Sequence, residues 1–238
     1  MLPVKTTGVF ITIAQTVRLL ALKMRSRKWG VLVCLFSLLV SADIDSHKMH
    51  QLMQTRYGND GVALLDAWNR MLDNTSAATP QEKLTQVNQF FNNNVRYTED
   101  SILWKKSDYW ATPLEIMGMR AGDCEDYTIA KYLSLLQLGI PNEQLRLIYV
   151  KAQIGGRHSK TFQAHMVLGY YPTPDAIPLI LDSLVSTIEP ANKRPDLHPV
   201  FSFNSEGLWV GNQATAADPT TRLSRWRDLL ARVHEEGF

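Results

Sequence analysis

Gly122-Asp123-Cys124-Glu125-Asp126-Tyr127, continuing through Tyr132-Leu133-Ser134-Leu135-Leu136 to Gly139-Ile140-Pro141, is the best-marked helix of the chain and carries its most unusual side chain. Asp123 suits the N-cap position, because its short carboxylate can accept from the free N–H groups of a first turn. Tyr127, Ala130, Leu133 and Leu136 recur at three-residue intervals and mark one apolar stripe. Gly139 supplies the stop and Pro141 prevents continuation. Cys124 therefore sits in the first turn, where the N–H groups and the helix dipole favour an anion. Its neighbours Asp123, Glu125 and Asp126 oppose a thiolate, since like charges raise a thiol's pKa. A nucleophile or ligand placed there needs something that offsets those acids.

Working outward, the residues before this helix read as helical and those after it as strands. Asp60–Leu72 carries Val62, Leu65, Trp68 and Leu72 at helical spacing. Thr79-Pro80 with Glu82 gives a capped helix start, running through Leu84, Val87, Phe90 and Phe91 to the Asn92-Asn93-Asn94 break. Val95–Tyr97 reads as a short strand, and Thr112-Pro113-Leu114-Glu115 repeats the capping signature for a helix ending near Gly118. Beyond Pro141, the segments 145–152, 161–171 and 177–185 are rich in β-branched, aromatic and aliphatic residues, with glycine or proline turns between them. Shorter strands are expected at 201–203 and 208–210, and a closing helix at 222–233. Helices followed by an antiparallel sheet predict an α+β domain.

The 238 residues, 45% hydrophobic and 20% charged, suit one domain with a substantial core. The formal net charge of +2 conceals an asymmetry. Residues 1–42 hold Lys5, Arg18, Lys23, Arg25, Arg27 and Lys28 and no acid, leaving 19 basic against 23 acidic residues over 43–238. No Lys/Arg stripe with interleaved aromatics is present, which excludes a nucleic-acid role. Arg25, Arg27 and Lys28, then the apolar run from Gly30 to Val40, then Ser41-Ala42 have the order of a secretory signal. The expected division is an N-terminal extension with signal, or an uncleaved anchor, over 1–42 and one folded domain over 43–238, with export as the expected fate. Translation from Met24, or an anchor over Gly8–Leu22, would account for the residues ahead of the signal. After cleavage Cys124 has no intramolecular disulfide partner, because Cys34 lies within the signal.

A thiol nucleophile needs a base, and the base needs a group that orients it. Of the six histidines, His165 alone stands well inside an expected strand. Asp182 closes the apolar run Ile177–Leu181, where a carboxylate is costly to bury unless paired. A histidine on the adjacent antiparallel strand is such a partner. Cys124, His165 and Asp182 then follow at separations of 41 and 17 residues.

At Gly122–Tyr127, Ala164-His165-Met166-Val167 and Leu181-Asp182, with Trp110–Glu115 and Ile140-Pro141 alongside, the chain resembles the bacterial transglutaminase-like cysteine proteinases. The resemblance covers most of 45–235. It implies a papain-like, transglutaminase-like core with Cys124 as nucleophile, His165 as base and Asp182 as orienter. It implies bound Ca²⁺ on Asp123, Glu125 and Asp126, oxygen ligands that suit a hard cation. Such an ion offsets the acids around the thiol. It further implies a large surface adhesin as substrate, cut near its N-terminus with biofilm dispersal as the result, and an inner-membrane cyclic-di-GMP receptor as the sequestering partner. The Cys124 backbone N–H is one expected oxyanion donor, and Trp110 is the candidate for a second or for the cleft wall. Tyr109 and Trp104 either line a groove or pack inside. Two alternatives remain: transglutaminase- or amidase-type acyl transfer on the same fold, and a non-catalytic binding module.

Overall fold

Two proline-led capping boxes start the helices that lead up to the Cys124 segment. In the computed structural model, which describes residues 45–211, 213–215 and 218–238, helix α1 (Ser46–Thr75) precedes them. The expected extension and signal over 1–42 lie outside the described residues. Helix α1 is longer than the sequence pattern around 60–72 predicts and is broken at Gly58, whose φ of 66° suits a residue without a Cβ. Helix α2 (Pro80–Asn94) begins at Thr79, whose N–H and hydroxyl both donate to Glu82. After strand β1 (Arg96–Tyr97) and the turn α3 (Asp100–Leu103), helix α4 (Pro113–Met119) begins at Thr112 with the same reciprocal cap on Glu115. Strand β2 (Ala121–Gly122) pairs parallel to β1, setting Tyr97 opposite Gly122 at the entry to helix α5 (Cys124–Gln137).

Helix α5 is buried on nearly every side, which its apolar and small residues permit. It packs between the other helices and strand β4, and Ser134 accepts from the buried Trp68 indole at 2.8 Å.

The sheet has the order β6-β5-β4-β3-β7-β8-β9, with every adjacent pair antiparallel. Its strands are β3 (Leu145–Ile154), β4 (Thr161–Tyr170), β5 (Leu179–Leu181), β6 (Glu189–Pro190), β7 (Leu197–Phe203), β8 (Leu208–Val210) and β9 (Gln213–Ala214). The β3–β4 ribbon pairs from Leu145–Tyr170 out to Ile154–Thr161 and extends beyond the core. Thr161 to Ala164 are exposed, whereas every residue from His165 to Tyr170 is buried. His165 thus stands where the ribbon enters the protein. The main core joins Leu147, Met166, Leu168 and Phe203 to the helices, and a smaller cluster forms around Ile148, Val150, Val167 and Ile180.

Three expected boundaries move. The strand predicted over 177–185 is only Leu179–Leu181, because the Asp182 carboxylate accepts from Leu184 N–H at 2.9 Å and turns the chain. Asp182 is therefore the first residue past a strand rather than within one. Strand β7 starts earlier than 201, with a register shift at Pro199, where a residue lacking N–H is tolerated. The closing helix divides into α6 (Pro219–Arg222) and α7 (Ser224–Glu236) around an extended Leu223, since Asp218 and Pro219 cap a separate turn.

Candidate active site

The loop ahead of Cys124 is tied down by the carboxylate of Asp126. Its Oδ1 accepts from Ala111 N–H at 2.7 Å and its Oδ2 from Asp123 N–H at 3.2 Å. This fully buried group holds the 110–112 segment against the start of α5. Gly122 is required beside it: a Cβ there would lie 2.7 Å from Asp126 Oδ2 and 2.9 Å from Asp126 Cβ. Cys124, 6% exposed, follows at the first helical position. Thr128, one turn on, donates to the Cys124 and Met166 carbonyls at 2.8 and 3.1 Å and so couples α5 to β4.

The thiol itself donates to Glu125 Oε2 at 2.7 Å. Burial pushes its pKa far up, and the charge and hydrogen bond of Glu125 and the charge of Asp123 push it further. The Met166 N–H, next to His165, pulls the other way. In this arrangement the sulfur is a protonated donor and its hydrogen bond runs to Glu125 rather than to His165.

His165 and Asp182 are brought together as expected. Nε2 of the buried imidazole lies 2.8 Å from Asp182 Oδ1, leaving Nδ1 as the nitrogen available for proton exchange. Asp182 also receives a contact that the sequence does not reveal: Arg194 Nη2 donates to its Oδ2 at 2.8 Å. Burial alone would raise this carboxyl, but the His165 hydrogen bond and charge, the Leu184 N–H and Arg194 outweigh burial and hold it down at about 2. Arg194 also binds Asp196, with Nη2 at 2.7 Å from Oδ2. The Asp182 carbonyl is held as well, by Asn92 Nδ2 and by Lys131 Nζ, both at 3.0 Å.

Around the thiol the acids cluster. Oxygens of Asp123 and Glu125 and the Cys124 sulfur lie within 4.8 Å of one another, as do oxygens of Asp100, Asp123 and Asp126. Asp100 was not among the expected ligands; nothing in Thr98-Glu99-Asp100 distinguishes it in sequence. Its Oδ2 accepts from Tyr109 N–H, while its Oδ1 and the Asp123 Oδ1 are buried without a partner. Burial, followed by mutual repulsion with Glu125, Asp126 and Asp100, raises Asp123 strongly. Burial likewise raises Asp126 and Asp100. Two orphaned buried carboxylate oxygens in a cluster that resists ionisation fit a hard cation, which would supply both the missing contacts and the missing charge.

Trp110 is nine-tenths buried and stacked on Phe203 at 5.9 Å. Its indole Nε1 has no partner at hydrogen-bond distance, although it still helps Asp108 ionise. Trp110, Glu125, Tyr149, Phe201 and Leu223 line one cleft, so Trp110 shares a cleft with Glu125, the thiol's hydrogen-bond partner. Tyr109 is half-buried and engaged by its neighbours: its hydroxyl donates to Glu115 at 2.7 Å and accepts from Arg232 at 2.9 Å, while its ring meets Trp104.

The family model of the bacterial transglutaminase-like cysteine proteinases matches residues 66–193. Among solved structures, Legionella pneumophila LapG aligns at 40% identity with a TM-score of 0.68, over 80% of this chain and 96% of that one. Its calcium-bound form aligns at 40% identity and 0.67, over 79% and 99% of the two chains. Its EGTA-treated form aligns at 39% identity and 0.69, over 80% and 98%. No curated protein sequence matches the chain.

Proposed function

We propose, for a chain that belongs to the bacterial transglutaminase-like cysteine proteinases, a calcium-dependent cysteine endopeptidase in which Cys124 is the nucleophile, His165 the base and Asp182 the group that orients it. The observation that carries this reading is the buried His165–Asp182 pair at 2.8 Å, with His165 on strand β4, which Thr128 ties through the Met166 carbonyl to the helix that bears the thiol. Asp182 stays ionised and stabilises an imidazolium, while its bond to Nε2 presents Nδ1 to the sulfur. For reaction the thiol exchanges its Glu125 partner for the imidazole. His165 takes the proton, the sulfur forms a bond to the scissile carbonyl carbon, and the carbonyl electrons move to oxygen. The Cys124 backbone N–H at the helix start, with Trp110 Nε1 as a second donor, meets that oxyanion. Collapse breaks the C–N bond, and the leaving amine takes the proton from His165. Water then adds to the thioester, giving a proton to His165 that returns to the sulfur as the acid departs.

Asp100, Asp123, Glu125 and Asp126 are the residues that would hold calcium, the ion named in one LapG structure. Bound there, it supplies positive charge that lowers the cost of a thiolate beside these carboxylates. The resemblance further supports a large surface adhesin, cut near its N-terminus, as substrate, with biofilm dispersal as the outcome. It supports a periplasmic location and sequestration by an inner-membrane receptor that senses cyclic-di-GMP.

The test is incubation of the full chain with an N-terminal adhesin fragment, with calcium or with EGTA, and with or without a labelled amine. Shortened fragments that require calcium and disappear in the Cys124→Ala protein are the expected result. Incorporated label without shortening would establish acyl transfer to amines instead, and cleavage by Cys124→Ala would overturn the reading altogether.

A further inference from the structure

The catalytic reading gives roles to Cys124, His165 and Asp182 and leaves one fully buried amine without any. Lys131 lies seven residues after Cys124, two helical turns along the same side of α5, and is 1% exposed. Burial pulls its amine down to about 7, against a smaller upward pull from Asp182. Asp126, held by two backbone N–H groups, is the helix's other fully buried ionisable side chain outside the tyrosines; a buried amine is expensive there, and a methionine would fill the same space.

Its hydrogen bond shows what the amine does. Nζ donates to the Asp182 carbonyl at 3.0 Å, and Asn92 Nδ2, reaching from α2, donates to the same oxygen at 3.0 Å. Asn88, one turn earlier on α2, donates to the Ser186 carbonyl at 2.8 Å. The ladder between β4 and β5 ends at Leu181, so this stretch of backbone has no strand partner to fix it. Two helices therefore hold, through side chains, a segment that the sheet has released. The same residue carries the carboxylate that meets His165 Nε2 and Arg194. A rotation of the Asp182 peptide would swing that carboxylate out of line. Asn92 alone satisfies the carbonyl's need for a donor, so Lys131 adds direction rather than rescue. Both the ammonium and the neutral amine can donate, so the contact survives across the neutral range.

We propose that Lys131 is a positioning residue, whose Nζ on the Asp182 carbonyl fixes that backbone and keeps the carboxylate aligned with His165. The proposal rests on the catalytic reading of Cys124, His165 and Asp182. The test is the pH profile of Cys124 alkylation by iodoacetamide in the full chain with calcium, for wild type, His165→Ala, Lys131→Met and Lys131→Gln, with thermal unfolding in parallel. His165→Ala is expected to remove the low-pH limb of the profile; if wild type and His165→Ala coincide, the catalytic reading itself fails. With that limb present, Lys131→Met is expected to move it up by about one pH unit, roughly tenfold slower alkylation on the limb. Lys131→Gln, which keeps a donor without a charge, is expected to stay with wild type. A limb unmoved in folded Lys131→Met overturns the proposal. So does an upward shift shared equally by Met and Gln, which would mark the loss of a positive charge rather than of alignment. Asn92→Leu, at a half-buried site, removes the other donor and should shift the limb upward less. Should Lys131→Met fail to fold, an unmoved limb in Asn92→Leu overturns the proposal instead.

Discussion

Replacing Asp182 with asparagine tests the site and its electrostatics together. The carboxylate is 1% exposed and offers Oδ1 to His165 and Leu184 N–H and Oδ2 to Arg194. An asparagine has one oxygen and one NH₂, so either His165 Nε2–H or Arg194 Nη2 must face another donor. The native carboxyl is held at about 2 against an ordinary 3.8, which corresponds to about 2 kcal/mol of stability. Because the folded pKa is the lower one, that contribution is complete above the unfolded value near 3.8 and is lost as pH falls through 2. The donor clash at Arg194, softened by its remaining partner Asp196, brings the expected cost near neutral pH to about 3 kcal/mol. Urea unfolding of wild type and variant at pH 5 should show that full gap, and at pH 3 the ionisation part should have fallen by roughly half. The variant should also lose at least about 100-fold in cleavage, since the base loses its orientation. A gap that stays constant from pH 5 to pH 3 would refute the argument that Asp182 is ionised and stabilised by its buried partners.

Four further outcomes follow from the same contacts. Glu125→Gln removes the charge beside the sulfur, so alkylation of Cys124 in EGTA should quicken about tenfold while calcium's effect shrinks; pH-stat labelling with mass spectrometry reads both. Calcium at about 100 times its dissociation constant should stabilise the fold by about 3 kcal/mol in chemical unfolding, with magnesium a poor substitute for a cluster of several carboxylates. Gly122→Ala drives a methyl group into the Asp126 carboxylate and should cost about 1–3 kcal/mol together with the cleavage activity, seen in thermal melts and in the adhesin assay. Arg232→Met severs bonds to Glu115, the Tyr109 hydroxyl and the Trp110 carbonyl, and should lower stability by about 1–2 kcal/mol in urea while loosening Trp110, measured by its fluorescence.

The parts of this fold that the sequence makes legible are those that local chemistry decides. Thr79-Pro80 and Thr112-Pro113 each announce a helix because cap, proline and returning glutamate act within four residues. His165 and Asp182 can be paired on paper because a histidine inside a strand and a carboxylate closing an apolar run are each costly to bury without the other. Arg194, Asp100 and Lys131 have no such signature: their partners lie on other elements, and an arginine in Lys193-Arg194-Pro195 or an aspartate in Glu99-Asp100 looks like ordinary surface charge. The end of β5 was also hidden, since only the Asp182–Leu184 turn shows why an apolar run stops being a strand.

What these tertiary partners add is an imbalance across the site. On the Asp182 side the protein supplies its own counter-charges: Arg194 binds the carboxylate, Lys131 donates to the carbonyl, and His165 Nε2 lies 2.8 Å from Oδ1. On the Cys124 side the described residues offer no lysine or arginine ion pair to Asp100, Asp123, Glu125 or Asp126. A chain that neutralises one buried acid so thoroughly and leaves four others crowded together, two with orphaned oxygens, has not simply failed to pair them. A permanent side-chain cation there would fix the thiol in one state. On the proposed function, a diffusible one would make the nucleophile conditional: Glu125 would hold the proton on sulfur until an ion took up the carboxylates, and His165 would then remove it. On the proposed function, calcium dependence would follow from where the protein places its own positive charges, and Asp100→Lys should trade calcium response for constant reactivity in the alkylation assay.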